Sequence, residues 1–203
     1  MPTFNLPIKK SSTKKESNIK NIKKANLGMF LEDMINETNE YYRNADIAVI
    51  HKKPTPIQIV KVSYPNREHA LITEAYYKTP STTDYNGVYD GYYIDFEAKE
   101  TDSLTSFPLK NVSLHQVLHL KQIIAHKGIG FLIIFFKKKN EAYILELDDF
   151  LLYWDNKKEG RKSIPYEFIN EKGHQIPISF KPRIDYLSVV KDVFIKKIKA
   201  VEI

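Results

Sequence analysis

The distribution of apolar and polar positions along the chain predicts a mixed α/β protein. Apolar residues recur at helical spacing over residues 29–42, and a second amphipathic helix is predicted over residues 113–126, with Ser113 as its N-cap. Residues 129–136 are apolar throughout, which is typical of a central strand covered on both faces. The other predicted elements of the body are strands at residues 47–50 and 142–147 and helices near residues 148–154, 165–171 and 184–197. Together they predict a mixed β-sheet flanked by helices.

A proline-bracketed segment, residues 52–80, interrupts this pattern. Its prolines exclude helix, while β-branched and aromatic residues favour strands at residues 58–62 and 70–77. We therefore expect an inserted β arm within a single domain that spans residues 26–203.

A central hairpin is predicted after the arm. Its strands cover residues 82–85 and 92–99, and two turn signals lie between them, Asn86-Gly87 and Asp90-Gly91. The hairpin would bring the two ends of this region close together in space.

Length and composition limit the classes of protein that fit. The 203 residues suffice for one domain with a buried core, and 42% apolar with 28% charged residues is ordinary for a globular chain. The longest apolar stretch, residues 128–136, is far shorter than the roughly 20 residues of a membrane helix. The chain has no cysteine and no evident secretory signal. We expect a protein of the reducing cytoplasm without a membrane span.

Positive charge is concentrated in residues 1–25. This segment has seven lysines and one acid, whereas the remainder of the chain has 24 basic and 24 acidic residues. Because it is poor in large apolar residues, we expect a disordered basic arm that binds nucleic acid or an anionic surface. A solubilising extension is the alternative. The candidate DNA-binding residues of the arm are Lys9, Lys10, Lys14, Lys15, Lys20, Lys23 and Lys24.

The residues with the most informative chemistry are Asp84, Glu97 and Lys99. Alternate side chains of a strand share a face, so Asp95, Glu97 and Lys99 point one way, and the hairpin returns Asp84 to the same neighbourhood. Two converging carboxylates repel each other unless a cation lies between them, and oxygen ligands favour Mg²⁺ or Mn²⁺. Such a cation activates water and polarises phosphoryl oxygens, while Lys99 would neutralise charge developing on a phosphate. On the strand pattern alone, an exposed face with a cross-strand salt bridge is the favoured alternative.

Longer sequence motifs around Asp84, Glu97 and Lys99 favour the metal site over the exposed salt bridge. Residues 80–89 (PSTTDYNGVY), 93–101 (YIDFEAKET) and 106–109 (SFPL) closely resemble the RecU family, the Holliday junction resolvases of Gram-positive bacteria. Further matches lie at residues 35–39, 47–62, 160–165 and 183–187, so the resemblance covers most of residues 26–190. It implies a restriction-endonuclease-like mixed β-sheet flanked by helices, in which residues 52–80 form a projecting β stalk.

The resemblance also implies a metal site. Its ligands would be Thr82, Asp84, Glu97 and Gln116 around Mg²⁺, for which Mn²⁺ would substitute. Asp84 and Glu97 would be catalytic through the metal, and Lys99 would stabilise the transition state. The resemblance gives Asp95 no metal role, and we expect this residue to be an acid that lies behind the metal ligands.

Several candidates have open alternatives. Glu32 lies on the first helix, where related nucleases have an auxiliary catalytic acid, and a solvated helix acid is equally compatible. For Gln116 the alternative is a solvated polar residue of the second helix. His115 and His119, four residues apart, form a weak candidate zinc pair without a third ligand at a recognisable spacing. Leu27 stands where the family commonly has arginine.

The implied activity is resolution of four-way DNA junctions by paired symmetric nicks in homologous recombination and DNA repair. Two opposed cuts require two active sites, so a C2 homodimer is expected. Further implied partners are the branch-migration helicase and the strand-exchange recombinase, and no membrane partner is implied. The alternative is a catalytically silent junction-binding protein that regulates the helicase and the recombinase. The stalk would contact junction phosphates through Lys52, Lys53, Lys61 and Arg67.

Overall fold

The structure, a computed structural model, describes residues 31–66, 69–78 and 82–201. Its elements in chain order are α1 (Leu31–Asn44), β1 (Ala48–Lys52), β2 (Ile57–Asn66), β3 (His69–Tyr77), β4 (Tyr85–Tyr89), β5 (Tyr92–Thr101), β6 (Ser106–Pro108), a 3-10 turn (Leu109–Asn111), α2 (Leu114–Ala125), β7 (Ile129–Phe136), β8 (Glu141–Glu146), α3 (Leu147–Trp154), β9 (Ser163–Pro165), α4 (Tyr166–Lys172), β10 (His174–Ile176) and α5 (Tyr186–Val190), which continues through a π turn (Lys191–Ile195) into α6 (Lys196–Val201). The predicted basic arm, residues 1–25, lies outside the described residues.

Six strands form the main sheet in the order β1-β4-β5-β7-β8-β10. The β5–β7 pair is parallel and the other neighbouring strands are antiparallel. All eight residues of β7 are buried, as its uninterrupted apolar run predicts. The predicted mixed sheet flanked by helices is confirmed.

Helices cover both faces of the sheet. On one face, Ile35 of α1 belongs to the same buried cluster as Phe96 of β5. On the other face, Leu120 of α2 and Phe150 of α3 share a cluster with Leu132 of β7. Burying each such side chain contributes about 1.5–3 kcal/mol. Both α1 and α2 also contact β5, where Phe96 packs in the first cluster and Asp95 meets His119 of α2. This strand carries Glu97 and Lys99, and its confinement fixes their direction.

The strands β2 and β3 form a separate two-stranded hairpin, here called the stalk hairpin. Every residue of β3 whose burial is described is exposed, which matches the predicted projecting arm. The lower boundary of the arm differs from the prediction, because Lys52 ends β1 and pairs with Tyr85 in the main sheet. The arm therefore begins after Lys52.

One of the two predicted turns is wrong. Asn86 and Gly87 lie within β4. Because Gly87 has no side chain, β1 can approach it closely. A Cβ at this position would lie 2.0 Å from the carbonyl oxygen of Val49. The predicted strand at residues 82–85 is displaced accordingly, and β4 begins at Tyr85. The Asp90-Gly91 turn is confirmed, with φ angles of 50° and 82°.

The helices follow the prediction closely, with shifts of a few residues at their ends. α1 is described from Leu31, so residues 29 and 30 of the predicted helix lie outside the described residues. The three-residue strands β6, β9 and β10 were not predicted, because a strand this short shows no periodicity. None of the described helices is long and apolar enough to cross a membrane.

Candidate active site

A cleft of about 1000 Å³ lies where five parts of the chain meet. They are the start of α1, the end of β1, the segment before β4, the end of β5 and the start of α2. The candidate residues among those that line the cleft are Glu32, Lys52, Lys53, Thr82, Asp84, Lys99, His115 and Gln116. The fold thus gathers side chains from segments that are distant in sequence around one opening.

Lys99 lies between two carboxylates at this cleft. Its Nζ is 2.5 Å from Oε1 of Glu97 and 3.8 Å from Oδ2 of Asp84. Asp84 directly precedes Tyr85, which pairs with Phe96, the residue before Glu97, and Asp84 lies close enough to raise the pKa of Glu97. The two carboxylates expected to converge are therefore brought together.

Glu97 is fully buried behind the cleft. Burial raises the pKa of Glu97 to about 8, and the adjacent Asp84 acts in the same direction, while Lys99 opposes the rise. Neither carboxylate oxygen of Glu97 meets a hydrogen-bond donor in a favourable direction, although the Lys99 ammonium is close. The alternative of an exposed strand face is therefore wrong for Asp95 and Glu97, because α2 packs over this face of β5, although its salt bridge is present between Lys99 and Asp84.

These features fit a hard divalent cation. A buried carboxylate with unsatisfied oxygens beside a second carboxylate is costly until a positive charge compensates both. The described residues contain no cluster of three or more carboxylate or imidazole side chains at ligand spacing. A cation bound by Asp84 and Glu97 would therefore need further oxygens from an amide, a hydroxyl or water.

Gln116 can supply an amide oxygen. It is 7% exposed and lines the cleft from the first turn of α2, so the alternative of a solvated helix residue is wrong. Its Oε1 accepts a hydrogen bond of 2.8 Å from the backbone N–H of Ser113, which orients the amide. A carbonyl oxygen has a second lone pair, so this contact does not prevent a role as a metal ligand.

Thr82 also lines the cleft, and it is exposed to solvent. The predicted strand over residues 82–85 would place Thr82 and Asp84 on one face, but both residues precede β4 in an irregular segment. Their access to a common cation depends on the conformation of that segment. The ligand role of Thr82 stays a prediction.

Glu32 lies at the rim of the cleft in the first turn of α1. It forms an ion pair with Lys52, and both side chains are about half exposed. An exposed pair of this kind contributes at most about 1 kcal/mol, so it does not commit Glu32 to a structural role. The auxiliary catalytic role of Glu32 stays a prediction.

A buried network around Asp95 was not predicted. The sequence placed Asp95 on the face of Glu97, as an acid behind the expected metal ligands, but gave it no partners. In the structure the Asp95 carboxylate contacts Lys53, Thr83, Tyr93 and His119. The only available signal was the alternation of side chains along β5, because the four partners come from different segments of the chain.

The contacts of Asp95 involve Lys53, a candidate DNA-binding residue, and His119, a member of the candidate zinc pair. The Lys53 ammonium lies 2.7 Å from Asp95, so it points into the body rather than along the stalk hairpin. His119 also faces Asp95, while Nε2 of His115 is buried without a partner. With no third imidazole or carboxylate ligand among the described residues, the zinc alternative gains no support.

The remaining candidate DNA contacts lie on the stalk hairpin or outside the described residues. Lys61 is exposed on β2 and pairs in register with Glu74 of β3. Arg67 and the seven lysines of residues 1–25 lie outside the described residues. All of these phosphate contacts stay predictions.

The chain is similar to known proteins over most of its length. The model of the family RecU, Recombination protein U, matches residues 26–192. The chain is 59% identical over 172 residues to Holliday junction resolvase RecU of Geobacillus kaustophilus (strain HTA426), which covers 84% of this chain and 86% of the relative. It is 56% identical over 170 residues to the protein of the same name from Geobacillus sp. (strain WCH70), with 83% and 85% covered. The corresponding protein of Bacillus cytotoxicus is 55% identical over 170 residues, with the same coverage. Because the family model spans most of the chain and the relatives match over most of both lengths, the chain belongs to the RecU family.

Proposed function

We propose that this chain is a Mg²⁺-dependent endonuclease that resolves four-way (Holliday) DNA junctions by paired symmetric nicks during homologous recombination and DNA repair. Membership of the RecU family and the names of its relatives support this activity. The observation that carries the proposal is the buried Glu97 opposite Asp84, with the Lys99 ammonium between them at an open cleft.

The proposed cation site consists of oxygen ligands. The chain belongs to a class of nucleases that is typically metal-dependent. Asp84 and Glu97 would hold Mg²⁺ with the amide oxygen of Gln116 and the hydroxyl of Thr82, and Mn²⁺ would substitute. When bound, the divalent cation polarises a phosphoryl oxygen and lowers the pKa of a coordinated water.

The chain's own residues complete the site. The Lys99 side chain is 25% exposed, so its ammonium can reach a phosphate in the cleft and neutralise charge that develops there. The Asp84 side chain is 42% exposed and faces the same space. Glu32 at the rim would act as an auxiliary acid near the incoming strand.

The proposed substrate requires two such sites. Opposed nicks on two strands are most simply made by a C2 homodimer with one cleft in each subunit. The stalk hairpin would enter the open centre of the junction and contact phosphates, which selects shape rather than sequence. The branch-migration helicase and the strand-exchange recombinase are the proposed protein partners, and the site of action would be the cytoplasm.

The test is cleavage of a mobile four-way junction by the purified chain with and without Mg²⁺. Asp84→Asn and Glu97→Gln should abolish cleavage and retain junction binding, because each neutralises a charged metal ligand and leaves the basic surfaces intact. Glu159→Gln, a change of the same type in an exposed loop, is the matched control and should cut at the wild-type rate. Wild-type turnover by either cleft variant at saturating Mg²⁺ would contradict the site assignment.

The same experiment separates the two candidate functions. A wild-type chain that binds the junction but leaves it intact with both Mg²⁺ and Mn²⁺ would be the silent regulator.

Replacing residues 57–77 with a short flexible turn tests the stalk hairpin. Duplex binding should stay within a few-fold, while the preference for junctions and their cleavage should be lost. A shortened dimer that still prefers junctions would assign selectivity to the spacing of the two clefts.

A further inference from the structure

A second group of polar side chains lies beneath the cleft, centred on Asp95. The Asp95 carboxylate is fully buried. Its Oδ2 accepts hydrogen bonds from the Lys53 ammonium at 2.7 Å and from the Tyr93 hydroxyl at 3.0 Å. Nε2 of His119 lies 3.1 Å from the same oxygen, and Oδ1 accepts a hydrogen bond from the Thr83 hydroxyl. A buried polar group left without a partner destabilises the fold, so these contacts fix the positions of the side chains that make them.

Two of these partners come from the two ends of the stalk hairpin. Lys53 lies between β1 and β2, and Thr83 lies between β3 and β4. Nζ of Lys53 donates to Oγ1 of Thr83 at 3.0 Å, and the backbone N–H of Lys53 donates to the carbonyl oxygen of Asp84 at 2.7 Å. The segment that enters the hairpin and the segment that leaves it are therefore joined to each other and to Asp95.

The segment that leaves the hairpin carries a candidate metal ligand. Residues 82–84 precede β4 and take no part in the ladder of the main sheet. The Asp84 side chain is 42% exposed, whereas the neighbouring residue Thr83 is only 3% exposed. The irregular segment is thus held from beneath through Thr83, while Asp84 stays accessible to the cleft.

We propose that Asp95 is a positioning residue that holds residues 82–84 through Thr83 and Lys53 and thereby keeps the Asp84 carboxylate opposite Glu97. This inference rests on the proposed function for the nature of the site, since it takes Asp84 and Glu97 to be cation ligands. It does not depend on which nucleic acid is cut. Because Lys53 and Thr83 lie at the two ends of the stalk hairpin, the same contacts connect the base of the hairpin to the cation site.

Loss of the Asp95 contacts should act on metal binding and on the cleavage rate, because residues that hydrogen-bond to metal ligands hold those ligands in position. Removing such a partner typically lowers metal affinity or activity by about 10–100-fold. A displacement of about 1 Å at a reacting group costs a comparable factor in rate. We therefore expect loss of the Thr83 hydroxyl to weaken Mn²⁺ binding about tenfold and to slow cleavage by about 10–100-fold.

The experiment compares Thr83→Val, which removes the hydroxyl and keeps the shape, with Thr83→Ser, which keeps the hydroxyl. The full chain is titrated with Mn²⁺ by calorimetry without DNA, and single-turnover junction cleavage is measured at saturating protein. Thr83→Val should show both losses, and Thr83→Ser should stay within about threefold of wild type, since the hydroxyl carries the contact. Junction affinity should be unchanged in both.

Thr38→Val is the matched control. Thr38 is another buried threonine, whose hydroxyl oxygen accepts a hydrogen bond from the backbone N–H of Ile184. Its loss should lower the unfolding midpoint and leave Mn²⁺ affinity unchanged. Asp95→Asn, where it folds, should change Mn²⁺ affinity in the same direction as Thr83→Val.

Each outcome supports or overturns the proposal. Wild-type Mn²⁺ affinity in Thr83→Val overturns it, and so does a serine variant as impaired as the valine variant. A wild-type chain that binds no Mn²⁺ overturns it as well, because no cation site would then need positioning. A wild-type chain that binds Mn²⁺ but cuts no junction refutes the proposed function alone, and the calorimetric comparison still tests the role of Asp95.

Discussion

Replacing Glu97 with glutamine should change how the stability of the metal-free chain depends on pH. Burial raises the pKa of Glu97 from its usual 4.5 to about 8, and Asp84 adds to the rise. Below about pH 4.5 the carboxyl group is protonated in both the folded and the unfolded chain. Between pH 4.5 and 8 the unfolded chain releases a proton that the folded chain keeps. The free energy of unfolding is therefore highest below about pH 4.5 and falls as the pH rises towards 8. Above about pH 8 this contribution no longer changes.

The magnitude follows from the size of the shift. One pKa unit corresponds to about 1.4 kcal/mol, so the rise from 4.5 to about 8 gives an upper value of about 5 kcal/mol. Glutamine has nearly the same shape and no proton to release in this range. Relative to wild type, the free energy of unfolding of Glu97→Gln should therefore increase by up to about 5 kcal/mol between pH 4.5 and 8. That is a large share of the stability of a typical domain.

The assay is urea unfolding in the presence of a chelator across this pH range, followed by the fluorescence of Trp154. Mg²⁺ added at neutral pH should stabilise wild type, because the cation binds the folded chain with Glu97 ionised, and should stabilise Glu97→Gln far less. A difference between the two proteins that stays constant with pH would refute the argument from burial. Equal stabilisation of both by Mg²⁺ would refute the ligand role of Glu97.

Three further predictions concern other parts of the molecule. Lys99→Ala should lower the single-turnover cleavage rate about 10²–10³-fold without weakening Mn²⁺ binding in calorimetry, because the ammonium acts on the phosphate and not on the cation. Gly87→Ala should lower the free energy of unfolding by about 3 kcal/mol or more in urea titrations, because its Cβ would lie 2.0 Å from the carbonyl oxygen of Val49. Deleting residues 1–25 removes a net charge of +6, so DNA affinity should fall and its dependence on salt should flatten in binding assays, while the urea midpoint stays unchanged.

Each of these predictions has a contradicting result. Equal losses of rate and Mn²⁺ affinity in Lys99→Ala would make Lys99 a structural partner of Glu97. Val88→Ala, at a half-exposed neighbour in the same strand, is the control for Gly87→Ala, and equal effects of the two would contradict the close approach of β1. An unchanged salt dependence after the deletion would favour the solubilising extension.

Local patterns in the sequence determined much of the fold. The apolar run of β7 predicted a strand covered on both faces, and Ser113 predicted the start of α2, because both depend on neighbouring residues alone. The alternation of side chains along β5 placed Glu97 and Lys99 on one face for the same reason. The motif around Asp84 and Glu97 was long enough to indicate the family that the comparisons establish.

Other features depended on how distant segments pack. Asn86-Gly87 has the composition of a turn, but the lack of a side chain at Gly87 serves the close approach of β1, which no local pattern reveals. Alternation assigned Glu97 to a face without saying that α2 covers that face, so its burial and raised pKa were not predictable. The contacts of Asp95 likewise required Lys53, Thr83 and His119 to meet from three separate segments.

The sequence by itself therefore determined which residues carry the chemistry and on which elements they lie, because periodicity and capping act over a few residues. The tertiary structure determined which of those residues are buried and what they contact. Burial and long-range hydrogen bonds depend on the register of strands and on the helices packed over them, and these are properties of the assembled fold. For this chain the difference is clearest at Asp95, which the sequence placed behind the metal ligands without any contact and which is the centre of a buried network in the structure.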